Sequence, residues 1–326
     1  MEKRKGGSVR CLEGVRGKQQ NLVAPQPSDV VRPGGRQVEL WNDHAFKQLR
    51  IKHKLADNFI NDGWTFKDFE KSEAKGGGKM AFLKDRYVVK LLSKGDHESL
   101  LACASTYVKH VTSGDSLLTP IYFHYRDVET QDSYIAMARV GSTGEPTKEM
   151  YDLKGCADDK TLVKDYKKIK AVHKRIWKVF MWGGTCCWTE ERFRYHAGKV
   201  EARRIKFSVN EQDRSKVVKV LERDAAWLKQ EGFMDYSLLV VEKDGGQSPR
   251  WFGKNQSQTW ECLLAKQNPG GSKSTLYVGI IDFLQRWTGT KAVAQCIKFA
   301  ERNKATIKPE PYGDRFVAHF SKAFSS

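Results

Sequence analysis

The chain of 326 residues has no apolar stretch approaching the roughly 18 residues that a membrane-spanning helix requires. Its opening residues, Met1-Glu2-Lys3-Arg4-Lys5-Gly6-Gly7-Ser8, carry no apolar core of the kind a secretory signal needs. Cysteine pairing is missing too: Cys11, Cys103, Cys156, Cys186, Cys187, Cys262 and Cys296 are odd in number and scattered, with no Cys-x-x-Cys to suggest zinc or a dithiol redox motif. Adjacent Cys186 and Cys187 read as small apolar residues, because no His or Cys stands near them at ligand spacing. No repeat at solenoid spacing is visible. These absences predict a soluble chain of the cytoplasm with reduced thiols.

Acidic residues are also in short supply, 39 against 57 lysines and arginines, which leaves a net charge of +18. Such an excess implies an anionic partner: nucleic acid, an anionic leaflet or a phosphorylated small molecule. Charge does not choose among them. What is present is a 40% hydrophobic content, enough for the core of one two-lobed domain or two small ones.

Residues 1–37 are rich in Lys, Arg, Gly, Gln and Pro and bury too little to offset ordering, so they predict a basic, disordered tail. From Val38 the pattern changes, with Leu40, Trp41, Phe46, Leu49 and Ile51 at near-helical spacing. Met80–Leu83 and Tyr87–Leu92 flank Lys84-Asp85-Arg86 as an antiparallel hairpin, Asp96–Val111 reads as a helix, and Leu118–Phe123 and Ser133–Ala138 read as strands. The expected fold is α+β and two-lobed, with an antiparallel-sheet lobe over 38–157 and an α+β lobe with a smaller sheet over 158–326. The lysine-dense run 158–178 reads as a solvated helix face, and Asn210–Gly232 as a capped helix with Val217, Val218, Leu221, Ala225 and Leu228 on its apolar stripe.

Four features have the chemistry of phosphoryl transfer, which needs backbone donors near phosphate, a fixed cation, a metal acid and a hydroxyl-orienting group. Gly76-Gly77-Gly78 lies between strands and lets main-chain amides approach a phosphate. Lys90 ends the strand that follows, where an inward ammonium is costly unless an anion meets it. Glu98, on the next helix, is its expected partner, with Asp96 as competitor. Asp235 stands in Met234-Asp235-Tyr236-Ser237-Leu238-Leu239, and Asp282 ends the apolar Gly279-Ile280-Ile281.

With Asp152-Leu153-Lys154-Gly155-Cys156 and Tyr312-Gly313-Asp314-Arg315-Phe316 in the same order, the chain resembles the phosphatidylinositol phosphate kinases over roughly residues 38–320. The resemblance implies a lipid-kinase fold using ATP and Mg2+, with Lys90, Lys154 and the glycine loop at the nucleotide phosphates, Asp235 with Lys154 as catalytic residues, and Asp282 holding the metal. Departures accompany it. Cys156 replaces the family's serine, Lys160 is the nearest counterpart of its arginine, and residues 160–206 do not align.

In that family the segment after the metal acid meets the lipid and the membrane. Here Phe283–Lys308 offers Lys291, Lys298, Arg302, Lys304 and Lys308 with Trp287 and Ile297 interleaved, a composition suited to an anionic phosphoinositide membrane surface and peripheral association with it. Twelve positions beyond Asp282, Ala294 stands where members acting on the 5-phosphate lipid carry Ala and those acting on the 4-phosphate lipid carry Glu. A protein kinase is the nearest alternative enzyme, but His-Arg-Asp-x-x-x-x-Asn, Asp-Phe-Gly and Ala-Pro-Glu are absent. A catalytically weak phosphoinositide-binding scaffold is a second alternative. A nucleic-acid binder has only charge to support it, with no recognised module, and nucleic acid is not expected as a partner. Oligomeric state is left open.

Overall fold

The computed structural model describes residues 26–32, 35–55, 70–73, 79–83, 86–142, 144–172, 188–247, 262–268, 272–288 and 305–326. Seven strands, β1 (Asp29–Val31), β2 (Val38–Leu40), β3 (Glu70–Glu73), β4 (Lys79–Leu83), β5 (Tyr87–Leu91), β6 (Ile121–Asp127) and β7 (Ser133–Ala138), form one antiparallel sheet in the order β1-β2-β6-β7-β5-β4-β3. The β4–β5 hairpin is the one expected, with Met80 opposite Lys90 and Leu83 opposite Tyr87. β1 falls inside the stretch expected to be a tail. Main-chain pairing with β2 orders it, while Val30 stays exposed, so side-chain composition gave no sign of it.

Helix α1 (Asp43–Lys52) turns Ala45, Phe46 and Leu49 inward, whereas Leu40 belongs to β2 and Ile51 faces solvent. Helix α2 (Lys94–Thr112) begins at Ser93, whose hydroxyl accepts from the Asp96 amide. Leu100, Cys103, Ala104, Tyr107, Val108 and Val111 repeat at three and four residues and make its buried stripe.

The second sheet is built from β8 (Glu149–Leu153), β9 (Lys160–Lys164), β10 (Lys167–Lys168), β12 (Ser237–Asp244), β13 (Cys262–Gln267) and β14 (Lys273–Ile281), antiparallel throughout in the order β10-β9-β8-β12-β14-β13. The lysine-rich run expected to be a helix face is a hairpin in its described part. Thr161-Leu162-Val163 favours strand, and Asp165 and Tyr166 take positive φ at the turn. Around the sheet lie α3 (Glu190–Ala202), α4 (Glu211–Gln230) and α5 (Pro309–Ala323), with a two-stranded parallel pair, β11 (Phe207–Ser208) and β15 (Phe324–Ser325).

Helix α4 is capped as its sequence predicts, with the Asn210 side chain accepting from the Asp213 amide and Gly232 following the last turn at φ +75, but Val220 and Trp227 are buried while Val218 of the expected stripe is half-buried. Two of its buried residues are charged, Asp213 in the first turn and Asp224 further along. Asp224 is wholly buried, bonding His110 Nε2 at 2.7 Å, Ser116 Oγ at 2.9 Å and the Leu117 amide at 2.6 Å. Leu117 O in turn accepts from the Ile280 amide at 2.6 Å, and the Thr119 amide donates to Ile280 O at 2.9 Å. The linker into β6 is thereby laced to the end of β14, and one continuous apolar cluster runs through both sheets.

Candidate active site

Antiparallel pairing alone brings three of the sequence motifs to one place. β8 and β14 both run opposite to β12, so their C-terminal ends meet its N-terminal end: Leu153 pairs with Leu238 and Ile281 with Ser237. Lys154 follows β8, Asp235 precedes β12 and Asp282 follows β14, so a cation and two carboxylates share one sheet edge. Asp235 and Asp282 both adopt left-handed backbone, φ +63 and +59, a conformation Asp tolerates better than bulkier residues and one that concentrates at functional sites. The loop before Asp235 is held to the loop after Asp282 by Met234 N to Gln285 O at 2.9 Å and Trp287 N to Gly232 O at 3.1 Å.

Lys90 arrives from the first sheet. Its Nζ donates to Asp282 Oδ1 at 2.7 Å, with the two side chains one-third and one-half exposed. Glu98 is not its partner. That carboxylate is exposed on α2, 4.0 Å from Lys94, because the helix start turns it to solvent, and Asp96 is the helix acid that lines the cleft with Lys90.

The cleft between the sheets has a volume of about 170 Å³ and two unlike ends. Lys90, Lys154, Asp96, Asp235 and Asp282 make the charged end, while Leu92, Ile121, Ile135 and Met137 line the rest with Phe283 and Leu284. Lys90 and Leu92 alternate along one stretch, and Ile135 and Met137 alternate on β7, so both pairs face the cleft by the two-residue period of a strand. Sequence reasoning missed this apolar wall, although that alternation was the signal for it.

Lys154 donates to both the main-chain oxygen and the Oδ1 of Asp235. Burial works against its charge, but Asp235, Asp152 and Asp282 outweigh burial and hold the ammonium above its ordinary pKa. Behind it, buried Lys160 is paired with Asp152. Burial pushes Asp152 up, yet Lys160, Lys154 and a bond with Ser237 bring its carboxyl below the usual range. The loop carrying Lys154 is ordered by Asp159, whose Oδ1 accepts from the Lys154 amide at 2.6 Å and the Cys156 amide at 3.2 Å. Gly155 sits at φ +69 with His319 3.1 Å from where a Cβ would stand, so the motif glycine is sterically required. The Cys156 thiol is pushed up to about 11 by burial and stays protonated. The loop is shaped by the backbone and Asp159, and so accommodates Cys for Ser.

The Tyr312–Phe316 motif supports the site from beneath. The Tyr312 hydroxyl donates to Tyr236 O, and the Tyr236 ring is fully buried, 4.6 Å from Tyr312 and 4.8 Å from Phe316 by ring centroids. A Cβ on Gly313 would stand 2.8 Å from the Lys229 side chain and 3.3 Å from the Tyr236 hydroxyl. Of the remaining expected site residues, Gly76, Gly77, Gly78, Lys291, Ala294 and Lys298 lie outside the described residues.

Among the described residues no group of three or more His, Cys, Asp or Glu is arranged to hold a metal ion by itself. Magnesium is commonly bound through one or two carboxylates completed by substrate phosphates and water, and the half-exposed Asp282, in a cleft that also offers Asp96 and two ammonium groups, fits that pattern. The same cleft joins an apolar slot to a charged end with two ammonium groups, complements to the base and the phosphates of a nucleotide. No described helix is long and apolar enough to cross a membrane.

A family model described as phosphatidylinositol-4-phosphate 5-kinase matches residues 69–261 and 247–323. Among curated proteins, the chain is 22% identical over 343 residues to the phosphatidylinositol 5-phosphate 4-kinase type-2 gamma of Mus musculus, covering 86% of this chain and 75% of that protein. The Homo sapiens protein of the same name gives the same identity and coverage. Phosphatidylinositol 4-phosphate 5-kinase 3 of Arabidopsis thaliana is 22% identical over 363 residues, covering 94% of this chain and 48% of that protein.

Proposed function

Because the chain belongs to the phosphatidylinositol-4-phosphate 5-kinase family, we propose that it transfers the γ-phosphoryl group of ATP to an inositol hydroxyl of a phosphatidylinositol monophosphate. The observation that carries the reading is the meeting of Lys90, Lys154, Asp235 and Asp282 in one cleft that continues into an apolar slot. In this reading the base of ATP lies along Leu92, Ile121, Ile135 and Met137, and the phosphates extend toward Lys90 and Lys154. Lys90 leaves Asp282 for a phosphate oxygen, which frees the Asp282 carboxylate for the ion.

Asp235 orients the acceptor hydroxyl and takes its proton as the new oxygen–phosphorus bond forms. The bond from the γ-phosphorus to the β–γ bridging oxygen breaks, and its electron pair leaves with ADP. Lys154 keeps Asp235 in place and, held protonated by its three acidic neighbours, offsets charge that moves toward the leaving group. Magnesium, held by Asp282, would supply charge neutralisation between the phosphates.

The excess of +18 suits work at an anionic leaflet, where each nearby Lys or Arg contributes about 1 kcal/mol, and Lys291 and Lys298 are proposed as contacts there. Ala294 favours the 5-phosphate isomer as acceptor. The names of the relatives point both ways on ring position, so the product isomer decides it.

The test is transfer of radiolabelled phosphate to vesicles containing each monophosphate isomer, with product isomers assigned by mass spectrometry. Wild type is expected to label the lipid, and Asp235→Asn and Asp282→Asn are expected to fall to background. Equal labelling by all three excludes this mechanism. Lipid binding without labelling by any of them favours the scaffold.

A further inference from the structure

Asp235 and Lys154, which line the first cleft, also line a second cavity, of about 290 Å³. It is lined by Asp158, Lys160, Tyr195, Lys199, Ala305 and Thr306 with the shared pair. Resting on the kinase reading above, we propose that Lys199 and Tyr195 of α3 hold the phosphate of the acceptor headgroup in this cavity, making α3 a specificity-determining element that no sequence motif marks.

Tyr195 and Lys199 are four residues apart and so project from one face of α3. That face is pinned. Gly198 packs against the β9–β10 hairpin, where a Cβ would meet Thr161 of β9 at 3.3 Å and Ile169, just after β10, at 3.4 Å, and its carbonyl accepts from Thr161 Oγ1 at 2.9 Å. Arg203, at the end of the helix, donates to Ala157 O at 2.9 Å and ties α3 to the loop that carries Lys154. These contacts fix the helix that carries the tyrosine and the ammonium.

The cation nearest the family's arginine cannot serve freely. Lys160 is buried against Asp152, and parting them would strand a carboxylate in the interior. Lys199 lines the cavity instead, its ammonium 4.0 Å from Asp158 Oδ1 and its side chain 22% exposed. Burial, with Asp158 and Asp152 adding to it, raises the Tyr195 pKa, so the phenol remains a donor.

The mixture of signs identifies the ligand class. A cavity for a bare polyanion would avoid carboxylates, but this one presents Asp158 and Asp235 beside three ammonium groups. Carboxylates accept from hydroxyls while ammonium and phenol donate to phosphate, the complement of a phosphorylated cyclic polyol. The two cavities share Lys154 and Asp235, so donor and acceptor would meet at that pair.

Calorimetry with glycerophosphoinositol monophosphate, the headgroup without acyl chains, reads the cavity independently of turnover. Lys199→Met is expected to weaken binding roughly tenfold and Tyr195→Phe less, with Lys199→Arg restoring most of the loss. In the vesicle assay Lys199→Met should raise the KM for lipid by a similar factor and leave the KM for ATP unchanged. Arg194→Gln removes an exposed charge that α3 keeps paired with Glu190, and should change neither. Absence of headgroup binding by wild type, or equal affinity in wild type and Lys199→Met, overturns the proposal. So does an Arg194→Gln variant that raises the lipid KM as far as Lys199→Met does, since α3 would then contribute only general attraction to an anionic surface. Lys199-dependent headgroup binding without any phosphate transfer overturns the kinase reading and leaves this site standing.

Discussion

The two cavities that meet at Lys154 and Asp235 have walls of different character. The slot on the Lys90 side is bounded by β-strand side chains from the first sheet and by the end of β14, and its far wall is apolar. The cavity under α3 is polar nearly throughout and is bounded by a helix and by the loops before β9 and α5. A planar base needs a dry slot of fixed width, which alternating strand residues provide. A hydroxylated ring with a phosphate needs donors and acceptors at several angles, which a helix face and loops provide more readily. The sheets also handle buried polar groups differently. The first shelters neutral histidines, with His124 Nε2 2.7 Å from His97 Nδ1 and His53 Nδ1 2.9 Å from the Tyr122 hydroxyl. The second buries the Lys160–Asp152 ion pair.

Removing what the cavities share should erase the distinction between them. Asp235→Asn is expected to lower kcat about a thousandfold while leaving ATP affinity nearly unchanged, because the carboxylate acts on the hydroxyl proton more than on the nucleotide. Single-turnover transfer alongside nucleotide binding measures this, and a comparable loss in both would merge the two cavities into one binding site.

Acid should separate the sheets. Burial lowers His53 and His124 to about 3, each with a neighbouring positive group or ring adding to it. Both rings are neutral above the unfolded pKa of about 6.5. Below it the unfolded chain binds protons that the fold refuses until pH falls to the folded value, so stability declines by about 1.4 kcal/mol per pH unit for each ring. Asp152 is lowered as well, but from a carboxylate's ordinary value, so its contribution is lost only at lower pH, as pH falls through its depressed value. Denaturant midpoints between about pH 7 and pH 5 should therefore fall in wild type and fall less steeply in His124→Asn. Equal slopes would remove the contrast.

Smaller changes sharpen it. Met137→Ala, widening the slot alone, is expected to raise the KM for ATP about tenfold and leave that for lipid unchanged. Tyr312→Phe loses only the hydrogen bond to Tyr236 O and should cost about 1–2 kcal/mol of stability. Thermal unfolding checks it, and transfer measured below the transition should remain close to wild type.

The donor side was more legible than the acceptor side, for a physical reason. Lys154, Asp235 and Asp282 sit at strand ends, so short apolar runs next to a charge announce them, and antiparallel pairing then forces their convergence. The β4–β5 hairpin and the Asn210 cap were written in local residues for the same reason. Glu98 failed as the partner of Lys90 because the facing of a helix's first turn depends on where the helix starts, and Ser93 set that start two residues before Asp96–Val111. The face of α3 depends on Gly198 meeting Thr161 across 37 residues, a tertiary contact that no periodicity encodes. Asp224 is one polar residue among many in the sequence of α4, and only the fold brings His110, Ser116 and Leu117 around it.

A crystal structure of the chain with magnesium and a non-hydrolysable ATP analogue tests the central claim most directly. The account predicts the base against Leu92, Ile135 and Met137, the Lys90 ammonium moved from Asp282 to a phosphate oxygen, and the terminal phosphate facing Asp235. A nucleotide seated elsewhere, or Lys90 still on Asp282 beside a vacant slot, would contradict it.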